Sequence, residues 1–242
     1  NLPPLLHEFT KLSQGFVLLV GPAGHGKSTT LAAIVDEINH TRTEHIVTVE
    51  DPVEYLFTQD KCLISQREVK NDTLTFHSAL RTVLRQDPDV IMIGEMRDPV
   101  SIATAMTAAE TGHLVFATLH TNSAAQTIDR IIDSFPAEQQ GQITSQLSAT
   151  LVAIVSQRLI PRIDGGRVPA NEIMIVNSAV RNLIRERKVY QIDLVIETSF
   201  QEGMMTLNRA LVNLVRKKFV TLENAELYSL NPNELRLMLE RN

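Results

Sequence analysis

Cysteine is nearly absent from this sequence: Cys62 stands alone among 242 residues. A single thiol excludes an internal disulfide and any thiolate-based zinc cluster, and it fits a reducing cytoplasm. Long apolar runs are missing too. Nothing approaches the ~20 consecutive apolar residues of a membrane-spanning helix, and no secretory hydrophobic segment precedes Asn1. There is no basic excess either, since 23 Lys and Arg against 28 Asp and Glu leave a net charge of −5. That balance argues against a general nucleic-acid binder. The small basic groups Arg185, Arg187 and Lys188, and Arg216, Lys217 and Lys218, read as solvated helix ends. Repeats and low-complexity stretches do not occur. The chain opens at Asn1 without an initiator Met, so further sequence upstream is expected.

What is present begins with an apolar run at residues 16–20, short enough for a buried parallel strand. It leads into Gly-Pro-Ala-Gly-His-Gly-Lys-Ser-Thr-Thr at 21–30. Apolar residues at helical spacing follow over 31–38. Strand, glycine loop and helix form the setting of a phosphate-binding loop. Gly21, Gly24 and Gly26 let the backbone turn its N–H groups toward phosphate oxygens, and the helix N-terminus adds a favourable dipole. Lys27 is expected to reach the β- and γ-phosphates, and Ser28 to hold Mg²⁺. His25 and Thr29 complete the candidate binding set. His25 is a bulky, titratable choice between two glycines.

The second strand, at residues 45–49, runs into Glu50-Asp51-Pro52-Val53-Glu54. Acids at the carboxyl end of a parallel strand stand where ligands bind in open α/β sheets. They are candidates for a general base or a water-orienting group. A strand pair or ribbon is expected over 61–68, then an amphipathic helix over 74–85. The apolar strand after Pro88 ends in Gly94-Glu95-Met96-Arg97-Asp98, with Gly94 where many phosphate-loop enzymes place an Mg²⁺-holding Asp. An alanine-rich helix is expected over 101–110 and a buried strand over 114–118, bracketed by His113 and His120. Their separation rules out a helical metal pair. His120 fits a γ-phosphate sensor, and His113 a hydrogen-bonded core side chain.

Apolar strands alternating with helices predict a parallel sheet with right-handed crossovers. Helices are expected over 124–135 and 138–155. Strand-like segments at 159–162 and 171–176 flank the hairpin signal Asp164-Gly165-Gly166, and helices fill the remainder. The expectation is a RecA-like α/β core over 1–160 and a small, mainly helical domain over 161–242.

The phosphate loop, the acidic box at 50–54, the Gly94–Asp98 motif and the histidine box at 111–120, in this order, resemble the secretion ATPase superfamily of type II secretion and type IV pilus motors. The segment Ser-Ala-Val-Arg-Asn-Leu-Ile-Arg-Glu at 178–186 is similar to a motif of its PilT-type pilus-retraction branch. Extension and type II secretion members commonly carry a tetracysteine zinc motif after the position of Gln157-Arg158-Leu159, and this chain has no cysteine there.

The resemblance implies a motor that couples Mg²⁺-dependent ATP hydrolysis to pilus retraction and twitching motility. It implies a homo-hexamer with ATP between subunits and a preceding PAS-like domain. Such a ring would be cytoplasmic and peripheral to the inner membrane. It would act on the inner-membrane platform protein, and through it on the pilus machinery, with no membrane insertion and no nucleic acid. Glu54 then corresponds to the catalytic glutamate, with Glu50 in reserve, Glu95 to the acid supporting Mg²⁺ or the attacking water, and His120 to the sensor. An arginine finger is expected, with Arg81, Arg85, Arg97 and Arg130 as candidates. His25 replaces a small residue, usually Ser or Thr. The alternatives are a pilus-assembly or type II secretion ATPase and, in a different class, a nucleic-acid translocase.

Overall fold

The computed structural model describes residues 2–240. Strands β1 (Gly15–Val20), β2 (His45–Glu50), β3 (Leu63–Glu68), β4 (Val90–Ile93), β5 (Leu114–Leu119), β6 (Leu151–Pro161) and β7 (Arg167–Ile175) form a seven-stranded sheet in the order β3-β2-β4-β5-β1-β6-β7. Neighbouring strands run parallel except the β6–β7 hairpin. The helices are α1 (Leu5–Phe9), α2 (Lys27–Thr41), α3 (Phe76–Val83), α4 (Pro99–Glu110), α5 (Ala124–Asp133), α6 (Ala137–Thr150), α7 (Ser178–Arg185), α8 (Ile192–Thr198), α9 (Leu207–Arg216), α10 (Leu222–Tyr228) and α11 (Pro232–Glu240). This is the parallel-rich α/β sheet that the strand–helix alternation predicts, with helices on both faces.

Strand β1 lies inside the sheet, with residues Phe16 to Val20 all at 0% exposure. Side chains alternate across a strand. Phe16, Leu18 and Val20 therefore join the core under α4, α5 and α6, while Val17 and Leu19 join the core under α1 and α2. Caps fix the helix starts. Asp98 accepts from Ser101 N at 2.9 Å ahead of α4, with Pro99 in its first turn, and Ser123 caps α5, satisfying N–H groups the helix cannot pair itself. Helix α2 differs. Gly26 precedes it in the left-handed region (φ 78°) and no side chain caps it, which leaves its first N–H groups for an anion.

Two expectations are corrected. The helix expected over 138–155 ends at Thr150. The run Leu-Val-Ala-Ile-Val that follows is the start of β6, because pairing with β1 on one side and β7 on the other satisfies its backbone. The ribbon expected at 61–68 is a single parallel edge strand, β3. Residue 160 lies within β6, and β7 is hydrogen-bonded to it along its length. Beyond β7, α7 and α8 send Val180, Ile184, Ile192 and Ile196 into the main core. Helices α9, α10 and α11 pack on the distal hairpin through Ile160, Val168, Ala170, Leu211, Val212 and Leu235. Arg181 and Arg185 of α7 both reach Ser148 of α6, the first through the backbone oxygen at 3.0 Å and the second through the hydroxyl at 3.2 Å.

Glu172 of β7 is buried, and one of its oxygens accepts from Ala124 N at the start of α5 at 2.7 Å. Burial pushes its carboxyl up to about 7, against the pull of that N–H and with help from Asp193. A carboxyl raised in the folded state contributes stability that is fully present below its unfolded pKa and is lost as pH rises through the folded value. Stability should therefore decline between pH ~4.5 and ~7 through this group, by on the order of 3 kcal/mol. Glu172→Gln retains the acceptor and should flatten that decline, gaining most at pH 8, as read by denaturant unfolding at a series of pH values.

Candidate active site

The carboxyl ends of β1, β2, β4 and β5 open onto a cleft of about 410 Å³, lined by the phosphate loop and by Glu50, Asp51, Glu54, Gly94, Glu95, Arg97, Thr118 and His120. Lys27 points back along its own loop and is only 7% exposed. Its ammonium donates to Gly21 O at 2.8 Å and Pro22 O at 3.0 Å. Burial holds its pKa below the ordinary lysine value, opposed by Glu95 and Glu54. A chain of contacts continues from it. Lys27 Nζ lies 3.4 Å from His120 Nδ1, His120 Nε2 lies 3.1 Å from Glu95 Oε1, and Arg97 holds Glu95 Oε2 through Nε at 2.7 Å and Nη2 at 2.6 Å. His120 thus sits between the Lys27 ammonium and the Glu95 carboxylate.

On the opposite wall, Ser28 Oγ donates to Glu54 Oε1 at 2.7 Å, and Thr29 Oγ1 is 2.8 Å from Tyr55 OH. Glu54 is exposed in the cleft. Glu50, four residues earlier, is buried, with one oxygen taken by Thr48 Oγ1 at 2.8 Å and Gln66 Nε2 at 3.4 Å. Burial raises its pKa. Of the two glutamates of the acidic box, Glu54 is exposed to solvent and Glu50 is engaged by neighbouring side chains.

Gly94 stands where an acid was a plausible alternative, and packing explains the glycine. A Cβ there would meet Glu50 Cα at 3.2 Å and Val49 O at 3.3 Å. Gly94 N donates to Val49 O at 2.8 Å, and Thr118 Oγ1 donates to Gly94 O at 2.5 Å, so the ends of β2, β4 and β5 converge at this residue.

Of the expected residues, Gly24, Gly26, Lys27, Ser28, Thr29, Glu54, Glu95 and His120 line one cleft. Gly21 contributes its carbonyl to Lys27. Its place is set by contact, since a Cβ there would lie 2.3 Å from Gln157 O. His25 turns away from the cleft, and its Nδ1 accepts from Leu159 N of β6 at 2.9 Å. His113 bonds Ala108 O at 2.8 Å, as expected of a structural histidine. Among the arginine candidates, Arg97 lines the cleft. Arg130 borders an adjoining recess of about 260 Å³ that shares Glu95, Arg97 and His120. Arg81 and Arg85 line neither.

Sequence reading missed Gln157, whose amide bridges Thr30 Oγ1 and His25 O at 2.9 Å each, and Arg167, which donates to Gly24 O at 3.2 Å. Both come from the β6–β7 hairpin, over a hundred positions from the loop. No local pattern marks them.

Among the described residues no group of three or more His, Cys, Asp or Glu is placed to hold a metal ion. A cation here would have Ser28, with Glu54 and Glu95 nearby, as its hard oxygen donors and would need substrate oxygens as well. That donor set suits Mg²⁺, which typically takes one or two protein ligands together with phosphates and water.

An uncapped helix behind a glycine loop, with a buried lysine, acids from the ends of β2 and β4 and a histidine from the end of β5, defines a phosphate-loop nucleotide-binding core of the RecA type. The profile of the Type II/IV secretion system protein family matches residues 3–227, and the chain belongs to that family. It is 56% identical over 212 residues to the type IV pilus retraction ATPase PilT of Pseudomonas aeruginosa, covering 88% of this chain and 62% of that protein. It is 51% identical to a twitching motility protein of Neisseria gonorrhoeae, covering 92% of this chain and 60% of that one. A crystal structure of the pilus retraction motor PilT with bound ADP superposes with a TM-score of 0.92 at 49% identity, covering 98% of this chain and 68% of that one. The chain thus spans about 60% of the length of these curated relatives.

The convergence at Gly94 is open to a direct test. Gly94→Ala should lower unfolding stability by roughly 1–3 kcal/mol, the range for inserting a methyl into a closed contact. Circular dichroism in urea is the measurement, and an unchanged midpoint would show that the strand ends can part.

Proposed function

We propose that this chain is the nucleotide-hydrolysing portion of a type IV pilus-retraction ATPase, acting as a homo-hexamer that converts ATP hydrolysis into pilus withdrawal and twitching motility. The observation that carries the reading is the arrangement around Lys27: an exposed carboxylate, Glu54, on the Ser28 hydroxyl at one side, and the Lys27, His120, Glu95, Arg97 chain at the other. The high identity to a protein named for pilus retraction, and the ADP in the related crystal structure, support ATP as substrate.

In this reading the N–H groups ahead of α2 and the Lys27 ammonium hold the phosphates. On nucleotide binding Lys27 exchanges its loop carbonyls for phosphate oxygens, where transition-state charge gathers. Glu54 accepts the proton of the attacking water as its oxygen bonds to the γ-phosphorus and the bond to ADP breaks. Glu54 is preferred to Glu50 because Glu50 is already occupied by Thr48 and Gln66. Glu95 and His120, fixed by Arg97 and Lys27, orient that water and register the γ-phosphate. Ser28 and the nearby acids would hold Mg²⁺, which when bound neutralises charge on the phosphate oxygens.

The partner in this reading is the inner-membrane platform protein, with the ring peripheral to that membrane. No helix among the described residues is long and apolar enough to cross one. The net charge of −5 and the single cysteine favour this reading over a nucleic-acid translocase or a zinc-bearing secretion ATPase.

Lys27→Ala should abolish hydrolysis, read as phosphate release. Glu54→Gln should still bind ATP and slow turnover about a hundredfold, the scale of losing a positioned base. Wild-type rates in Glu54→Gln would move the base to Glu50 or Glu95. Sedimentation with Mg²⁺ and a non-hydrolysable ATP analogue should show concentration-dependent assembly. A monomer with full specific activity at nanomolar protein would exclude a site shared between subunits.

A further inference from the structure

Strand β6 outruns its neighbour. Pairing with β1 stops at Val20 and Ser156, while β6 continues to Pro161 beside the phosphate loop. The Leu159 N–H in this overhang is answered by a side chain, the Nδ1 of His25, at 2.9 Å. The same loop residue offers its carbonyl to Gln157 Nε2 at 2.9 Å. Its ring meets Tyr228 at the end of α10 edge-on, with centroids 6.1 Å apart. The overhang also belongs to the packing of the C-terminal helices, since Ile160 shares a cluster with Leu207, Leu211, Val220 and Ala225.

We propose that His25 is a positioning residue that latches the phosphate loop to β6 and α10, so that loop movement on nucleotide binding is passed to the C-terminal helices. The effect on turnover rests on the reading of the cleft given above, whereas the latch itself stands on the contacts.

A small side chain at position 25 cannot span to both Leu159 and Tyr228. The acceptor role requires a bare Nδ1 and hence a neutral ring. The charged and titratable groups around it agree. Burial first, then Arg158, Lys27 and Arg167, hold the imidazole below its ordinary pKa, and Tyr228 faces it from α10. Removing the acceptor leaves the Leu159 N–H without its partner, at a cost comparable to one net hydrogen bond or more.

Three variants of the full chain test the latch: His25→Ala, His25→Asn and Tyr228→Leu. Asn offers Oδ1 close to where Nδ1 stands, so it can keep the bond to Leu159 while losing the ring. His25→Ala should raise KM for Mg·ATP about three- to tenfold with kcat within about twofold, the size of one hydrogen bond. In nucleotide-free protein it should also speed amide exchange at Leu159 by a similar factor. His25→Asn should restore both. ADP should slow amide exchange across residues 222–228 in wild type and not in His25→Ala or Tyr228→Leu. Unchanged Leu159 exchange in His25→Ala, failure of Asn to rescue, or undiminished ADP protection of 222–228 in His25→Ala would each overturn the proposal. If wild type binds no ADP, the nucleotide reading fails, and the transmission half of the proposal with it. Leu159 exchange without nucleotide then still decides the latch.

Discussion

Complete burial of β1 is the constraint on which the rest of this structure depends. A strand covered on both faces can present chemistry only at its end, because any polar side chain along it would need a partner in the core. The apolar run from Phe16 to Val20 meets that demand with residues at 0% exposure. The chain then breaks into glycine where β1 stops, and α2 starts without a side-chain cap. The same burial acts on β2, β4 and β5, whose apolar bodies end in Glu50, Gly94-Glu95 and His120. One sheet edge therefore collects the cations, carboxylates and backbone donors that the interior excludes.

Electrostatics at that edge is balanced rather than single-signed. Lys27 is buried and loses hydration, and Glu95 and Glu54 oppose the resulting fall in its pKa. Arg97, in turn, holds Glu95, and the pairing raises the arginine's own pKa. These paired charges are fixed by geometry before any ligand arrives. In the proposed reading a polyphosphate would find the carboxylates and the guanidinium already paired, and Lys27 would be the group that changes partners.

Much of this was legible in the chain. The strand–loop–helix grammar around residues 21–30 identified the phosphate loop because its glycines and lysine act locally: the turn, the helix start and the reach of one side chain are settled within ten residues. Acids at the ends of apolar strands were legible for the same reason. The end of the helix expected over 138–155 was not, since 151–155 is apolar enough for either a helix or a strand. Pairing with β1 and β7 decides between them. Gly94 was visible as an unusual residue, but its cause, the approach of Glu50 Cα to 3.2 Å of where a Cβ would stand, exists only once β2 and β4 are adjacent.

His25 marks the limit most clearly. In sequence it lies among phosphate-binding residues and reads as one of them, yet its ring faces Leu159 and Tyr228. Gln157 and Arg167 reach the loop from more than a hundred residues away. The sequence by itself determined where backbone could curl around phosphate and which strands must be buried, because glycine conformation and hydrophobic period are local properties. Only the tertiary structure decided which side chain meets which donor across that loop, because those contacts depend on the order of strands in the sheet, and strand order is fixed by packing between distant segments.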